Sequence, residues 1–102
     1  MMDLAWIRSK VREGNYEVTA HAEDERQADK ISIEEIEYVL LNGELLENYP
    51  RDSRGPSCLV LGYGREGYPI HVVCGQTPLK HLRIITVYIP SPPKWLDPRT
   101  RG

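Results

Sequence analysis

Residues 57–74, SCLVLGYGREGYPIHVVC, decide the fold of this chain, because they contain two apolar runs around a glycine-rich connection. The runs Ser57–Tyr63 and Pro69–Cys74 have the length of buried strands, and the residues between them favour a hairpin turn. A third apolar run follows at Leu82–Ile89, and Glu44–Tyr49 predicts an edge strand before the hairpin. Sequential strands with short connections predict a four-stranded, mainly antiparallel sheet.

Three helices are predicted ahead of the strands. The first is capped by Asp3, and the second begins at His21 with Thr19 as its cap. The third starts with a capping box, in which Ser32 is the N-cap and Glu35 the third helical residue. The predicted fold class is therefore α+β, with the N-terminal helices packed on one face of the sheet.

The register of the hairpin determines which strand residues face the helices. If Tyr63 pairs with Tyr68 across a four-residue loop, alternate residues share a face. The face predicted to meet the helices carries Leu59, Leu61, Ile70, Val72 and Cys74. The opposite face carries Val60, His71 and Val73. Because this second face is partly apolar, we expect the tail with Trp95 to cover some of it. The whole chain, 1–102, is predicted to be one domain, with a core of about 3–90 and an irregular tail at 91–102.

The composition is typical of a single soluble domain, with 102 residues, 40% hydrophobic and 27% charged. There is no apolar run long enough to span a membrane and no secretory-signal pattern. Two cysteines, Cys58 and Cys74, cannot build a disulfide framework. They fall on opposite faces in the predicted register, so we expect two reduced thiols packed as apolar residues in a cytoplasmic protein.

Charge is divided unevenly along the chain. Residues 1–50 contain five Lys/Arg and twelve Asp/Glu, a net charge of −7, while residues 51–102 contain eight and three, a net charge of +5. Such an asymmetry can mark a polyanion-binding face built by one half of the chain. Neutralisation of basic strands by neighbouring acidic helices explains the same division without any ligand.

Two further patterns are better explained by structure than by chemistry. Residues 62–67, GYGREG, match the dinucleotide-binding pattern G-x-G-x-x-G, but a strand follows them where the phosphate site needs a helix. These glycines are therefore assigned to the hairpin turn. The cysteines and histidines lack the paired spacing of a structural zinc module, so no metal site is predicted.

Histidines, arginines and one tyrosine are the candidates for chemistry. His21 lies in the first turn of a helix, where the dipole favours the neutral, base-competent imidazole. Arg26 is five residues further along, and His71 lies mid-strand on the face away from the helices. Arg83 and Tyr88 lie on the last strand. Together these residue types suit RNA cleavage without a metal, which needs a base for the ribose 2′-hydroxyl, a cation for the phosphorane and an acid for the leaving oxygen. They would equally suit passive phosphate binding.

Short motifs spread over about residues 15–95 resemble the DUF4258 family of small bacterial proteins, and their order and spacing make the resemblance specific. They are Thr19–Ala22, Arg26, Ile31–Ser32, Gly43–Glu44, Tyr49–Pro50, Gly55–Gly62, Pro69–Val73 and Ile85–Tyr88.

The resemblance implies a RelE/barnase-like fold, distantly similar to ribonuclease toxins of the RelE, MqsR and BrnT types, which are encoded beside an antitoxin. On this basis His21 corresponds to the family's helix histidine, Arg26 to its nearby arginine and His71 to its strand histidine. Thr86 and Tyr88 correspond to its last-strand positions.

One departure from the family pattern concerns the second helix. Many members carry arginines four and eight residues after the helix histidine, where this chain has Glu25 and Asp29.

The leading hypothesis is a toxin-type, metal-independent endoribonuclease of a toxin–antitoxin pair. His21 is expected to be the general base, His71 an alternative base or the acid, and Tyr88 an orienting group or acid, while Arg26 and Arg83 stabilise the phosphate. The residues expected to bind RNA are Arg51, Arg54, Lys80 and Thr86. No cofactor is expected, and the expected partners are RNA and an antitoxin protein.

Two alternatives remain. The first is a non-catalytic RNA- or protein-binding domain of the same fold, which the acidic first half favours. The second is an interaction module whose edge strand at Glu44–Tyr49 pairs with a strand of a partner.

Overall fold

The structure, a computed structural model, describes residues 2–102 and has the α+β class that the sequence predicts. Within these residues, three helices precede most of a five-stranded mixed sheet, and a separate two-stranded hairpin follows. The helices are α1 (Leu4–Arg12), α2 (Ala20–Ala28) and α3 (Ile33–Asn42). The strands are β1 (Tyr16–Val18), β2 (Glu44–Tyr49), β3 (Ser57–Tyr63), β4 (Pro69–Gln76), β5 (Leu82–Tyr88), β6 (Trp95–Asp97) and β7 (Thr100–Arg101). No helix in this part of the chain is long and apolar enough to cross a membrane.

The predicted helix starts are confirmed by their caps. The Thr19 hydroxyl accepts the Ala22 N–H at 3.0 Å, which fixes the start of α2. At α3 the Ser32 hydroxyl accepts the Glu35 N–H, and the Glu35 carboxylate accepts the Ser32 N–H, both at 3.0 Å. Each such cap contributes about 1 kcal/mol, so local sequence is sufficient to place these helices.

The strand count of four is wrong, because a fifth strand completes the sheet. The order is β1-β5-β4-β3-β2, in which β2 to β5 are antiparallel neighbours as predicted and β1 runs parallel to β5. Only three residues form β1, and its pairing with Leu82–Ile84 spans more than sixty positions of sequence. Nothing in so short a segment predicts that partner.

The hairpin register is also shifted by one residue from the prediction. Tyr63 pairs with Pro69, and Gly64 N–H donates to the Tyr68 carbonyl across a tight turn at Arg65–Gly67. Gly67 has φ of +76° there, a conformation that glycine adopts without strain.

This shift exchanges the faces of the β3 residues. The front face, towards the helices, carries Cys58, Val60, Ile70, Val72 and Cys74; the back face carries Leu59, Leu61, His71 and Val73. The predictions for Leu59, Leu61 and Val60 are therefore wrong, and that for His71 is confirmed. The two cysteines are directly opposed on the front face, with 3.8 Å between their Sγ atoms, which corrects their predicted separation.

The two faces are buried by different parts of the chain. The helices cover the front face, where Ile7, Ile36 and Leu40 pack on the apolar strand residues. The β6–β7 hairpin covers part of the back face, and Trp95 is almost fully buried beneath it. The expected cover by Trp95 is confirmed, but the tail predicted to be irregular is a short hairpin.

Candidate functional site

The predicted site residues separate into two regions. We call His71 and Tyr88, together with Trp95 of the hairpin that covers them, the covered centre. We call His21, Glu25 and Arg83, along the margin of β5 that the hairpin leaves uncovered, the open edge. His21 and His71 make no hydrogen bond or ring contact with each other in the described chain.

A closed hydrogen-bond network occupies the covered centre. His71 Nε2 lies 2.7 Å from the Pro98 carbonyl oxygen, which can only accept, so this nitrogen carries the proton. His71 Nδ1 then accepts from the Tyr88 hydroxyl at 3.2 Å, and that oxygen accepts the Trp95 indole N–H at 3.2 Å. Every polar atom of the three side chains has a partner, and all three groups are neutral.

Burial determines the protonation of this network. His71 is completely buried, and this desolvation lowers the pKa of its imidazole. The same effect raises the pKa of the Tyr88 hydroxyl. The His71 imidazole packs edge-on against Trp95, with ring centroids 4.5 Å apart. A substrate could reach His71 only after the hairpin had moved.

Two arginines fasten the hairpin to β2. Arg101 forms two hydrogen bonds with the Glu47 carboxylate, at 2.7 and 3.0 Å, and its guanidinium lies 4.6 Å from the centre of the Trp95 ring. Arg99 pairs with Glu44. Hydrogen bonds from Arg101 lower the pKa of the Glu47 carboxyl. The β6–β7 hairpin is held to the sheet by the Trp95 ring, the Pro98 carbonyl and both ion pairs. It is therefore an integral layer of the fold.

At the open edge, α2 presents an exposed histidine beside a fixed carboxylate. The His21 side chain is 68% exposed, and its Nε2 lies 3.2 Å from Glu25 Oε1. That same oxygen accepts the Val87 N–H at 3.1 Å, and Asp29 accepts the Ile89 N–H at 2.9 Å. The two carboxylates therefore accept hydrogen bonds from backbone N–H groups at the β5 edge, where β1 is too short to pair with them.

This contact gives a structural reason for carboxylates at Glu25 and Asp29. Each accepts a backbone N–H, and an arginine, which the resemblance led us to expect at both positions, has no acceptor for one. Glu25 was not among the site residues predicted from the sequence. Its position four residues after His21 was the available signal, since such pairs meet on a helix.

His21 projects away from the front-face core. Successive residues of a helix point in directions about 100° apart. Ala22 is fully buried in the core, and Glu25 contacts the backbone at the β5 edge. His21 points about 40° further round the helix in the same direction, so it projects past the strand edge.

A small cavity of about 90 Å³ adjoins Thr19 at the start of α2. Its walls include Thr19, Arg54, Thr77 and Arg83. Arg83 pairs with Glu17 at 2.7 Å and Arg54 lies 3.6 Å from Asp52, and the side chains of Arg83 and Arg54 are 46% and 78% exposed. The cavity thus brings Arg54 and Arg83 together beside Thr19, the N-cap of the helix that carries His21.

The other predicted residues are distributed as follows. Arg26 forms two hydrogen bonds with Glu23, each 2.7 Å, and one with the Ile31 carbonyl, so it does not join the open edge. Arg51 and Lys80 are exposed in turns, and Thr86 is half-buried on the back face opposite Val73. Among residues 2–102, no three histidine, cysteine, aspartate or glutamate side chains converge as metal ligands.

The comparisons with known proteins identify one family. A family model described as "Domain of unknown function (DUF4258)" matches residues 18–89, more than two thirds of the chain, so the chain belongs to this family. No curated protein and no solved structure matches it. The matched segment contains His21, His71 and Glu25 but ends before Trp95, so the hairpin over the covered centre lies outside it.

Proposed function

We propose that this DUF4258 protein is a toxin-type, metal-independent endoribonuclease of a toxin–antitoxin pair, acting at the open edge. The single observation that carries the proposal is the His21–Glu25 pair, an exposed imidazole held 3.2 Å from a carboxylate that the β5 backbone fixes. A base must reach its substrate, and His21 does so without any movement of the fold.

The proposed chemistry follows from this geometry. A neutral His21 that donates Nε2–H to Glu25 leaves its Nδ1 lone pair free to take the ribose 2′-hydroxyl proton. The 2′-oxygen then attacks the phosphorus, and the 5′-oxygen leaves with a proton from solvent. The Glu25 carboxylate stabilises the imidazolium that forms, as an orienting carboxylate does in a catalytic triad.

Phosphate stabilisation is assigned to Arg83 and Arg54. Their ion pairs with Glu17 and Asp52 are solvent-exposed, and such pairs contribute at most about 1 kcal/mol, so a phosphate can displace them. Arg51, Lys80 and Thr86 extend this surface along the basic second half of the chain as the RNA-binding residues.

An RNA cleavage assay tests the proposal. Wild-type protein, His21→Ala and Arg83→Ala are incubated with a mixed-sequence RNA in excess EDTA, with His81→Ala as a matched control at an exposed histidine away from α2. We expect cleavage by the wild type and the control, and a loss of about 100-fold or more in His21→Ala. Intact RNA at high wild-type concentration, or full activity in His21→Ala, would overturn it.

The second candidate is a non-catalytic RNA- or protein-binding domain. It is favoured by the pairing of Arg26 with Glu23 and by the closed network around His71, which leave few free groups for catalysis. RNA that binds to wild-type protein and to His21→Ala equally, without being cut, would support this candidate over the enzyme.

A further inference from the structure

The two cysteines face each other across the neighbouring strands β3 and β4. Cys58 is paired directly with Cys74 in the antiparallel register, and their Sγ atoms are 3.8 Å apart. Directly opposed residues of an antiparallel pair have Cα atoms about 4.5–5.5 Å apart, within the span of about 4.4–6.8 Å that a disulfide bridges. A bond between the two sulfurs therefore needs rotation of the side chains and no movement of the strands.

The hairpin keeps the two thiols in this position. Pairing of β3 with β4 runs without a bulge from Ser57–Gly75 to Tyr63–Pro69, and each of these strands has a further strand on its other side. The cysteines therefore cannot slide apart without breaking the middle of the sheet. Two reacting groups held together in this way combine in an intramolecular step, which is strongly favoured over reaction with a second molecule.

The surroundings of the pair leave the two thiols to each other. Both cysteines are completely buried on the front face, and the hydrogen-bonding partner of each thiol is the other. Among residues 2–102 no third metal-ligating side chain joins them. Their hydrogen bond lowers the pKa of Cys58 and raises the pKa of Cys74. Cys58 is therefore the thiol that ionises first, and the thiolate is the nucleophilic form.

Burial determines which oxidant can react with the pair. Exchange with a small-molecule disulfide passes through a mixed disulfide, and so bulky an adduct has no room in a close-packed core. Hydrogen peroxide is small and uncharged, and its reaction adds only a single oxygen atom to the attacking sulfur. The completed disulfide adds no heavy atom to the core, so the packing of the front face is preserved.

We propose that Cys58 and Cys74 form a peroxide-sensitive dithiol, which closes to a disulfide within the folded chain. The Cys58 thiolate attacks one oxygen of hydrogen peroxide and breaks the O–O bond, which gives a sulfenic acid and hydroxide. The Cys74 sulfur then attacks the Cys58 sulfur and expels a second hydroxide. The two thiol protons convert both hydroxides to water, so two thiols are oxidised and one peroxide is reduced. The new bond closes a loop between residues 16 positions apart, which stabilises the folded state.

Peptide mapping of the full-length protein tests the pair. The reduced, folded protein is incubated with millimolar hydrogen peroxide, and the remaining thiols are alkylated under denaturing conditions before digestion with trypsin. Cleavage after Arg54, Arg65 and Lys80 places the two cysteines on separate peptides, 55–65 and 66–80. We expect a disulfide to join these peptides in monomeric protein. It should form about tenfold or more faster than with the same concentration of glutathione disulfide.

Thermal unfolding measures the consequence of the bond. Peroxide-treated wild-type protein should unfold at a midpoint about 10 °C or more above that of reduced protein. The matched control is Cys74→Ala, which keeps the attacking thiol of Cys58 and cannot close the bond. After the same treatment it should show neither joined peptides nor a rise in the midpoint, and circular dichroism checks that it is folded.

Three results would overturn the dithiol proposal: thiols that stay free in peroxide, a disulfide that forms only between two molecules, or equal rates with peroxide and glutathione disulfide. These results come from wild-type protein alone, so they remain decisive if Cys74→Ala does not fold. The outcome does not depend on the ribonuclease proposal, because the disulfide is detected without RNA. His21→Ala should form the same disulfide at the same rate.

Discussion

The open edge and the covered centre each contain a histidine within hydrogen-bonding distance of another side chain, yet the two sites differ in what their histidines can do. His71 has both nitrogens engaged and no exposed surface, whereas His21 is mostly exposed and contacts one carboxylate. Access and an unoccupied lone pair are what a general base needs. The difference gives His71 a structural role and leaves His21 as the proposed base, whereas the sequence predicted catalytic roles for both, with His71 as an alternative base or the acid.

The same substitution at both sites gives the largest expected contrast. His71→Ala should lower the free energy of unfolding by about 3 kcal/mol, because it leaves a cavity and removes partners of Tyr88 and Pro98. His21→Ala should change it by less than about 0.5 kcal/mol, because the side chain is exposed. Urea unfolding of the two variants measures both values. Equal losses would remove the distinction between the two regions.

The arginine clamp should have a smaller effect, confined to the covered centre. Arg101→Ala removes an exposed ion pair with Glu47 and the contact with the Trp95 ring, so we expect a loss of about 1 kcal/mol. Faster hydrogen exchange of the Trp95 indole N–H would report loosening of the hairpin. Arg65→Ala, whose side chain is exposed in a turn, is the matched control and should leave this exchange rate unchanged.

The pH dependence of stability should identify His71 by its sign. Burial lowers its pKa in the folded protein, so as the pH falls below about 6.5 the unfolded chain binds a proton that the folded chain does not. Unfolding free energy should therefore be constant above about pH 7 and decrease below about 6.5. His71→Gln should abolish the decrease between about pH 6.5 and 5.5, while His21→Gln should retain it. A wild-type stability that rises on acidification through this range would contradict the neutral, buried assignment.

Glu25→Gln should have the smallest effect on stability, less than about 0.5 kcal/mol, because an amide oxygen can still accept the Val87 N–H. The charge beside His21 is nevertheless lost, so RNA cleavage should fall by about tenfold or more. Thermal unfolding and the cleavage rate, measured on the same sample, separate the two effects. Unchanged cleavage would mean that Glu25 serves only the β5 edge.

Local signals in the sequence were sufficient to predict the helices but not the pairing of the strands in the sheet. Caps such as Thr19 and Ser32 act within four residues, so their consequences can be read directly from sequence. The β3–β4 register could not, because both faces of these strands are buried and apolar, and alternation then gives no preference between registers one residue apart. The β3–β4 register is set by the turn at Glu66 and Gly67, both of which have positive φ.

The site was only partly predictable for a related reason. The residue types were identified, but their environments depend on contacts between distant parts of the chain. Arg101 reaches Glu47 across 54 positions, and Glu25 reaches Val87 across 62. The first contact covers His71 and the second fixes the partner of His21. Neither can be inferred from spacing or periodicity.

The most direct test of the difference between the histidines is NMR of the imidazole nitrogens in ¹⁵N-labelled protein, with and without an uncleavable oligonucleotide that lacks 2′-hydroxyls. We predict that His71 is observed as the neutral Nε2–H tautomer at about pH 7 and is unchanged by the oligonucleotide, since both of its nitrogens are engaged within the fold. His21 should shift on addition of the oligonucleotide. An oligonucleotide-dependent shift of His71, with His21 unaffected, would contradict the account.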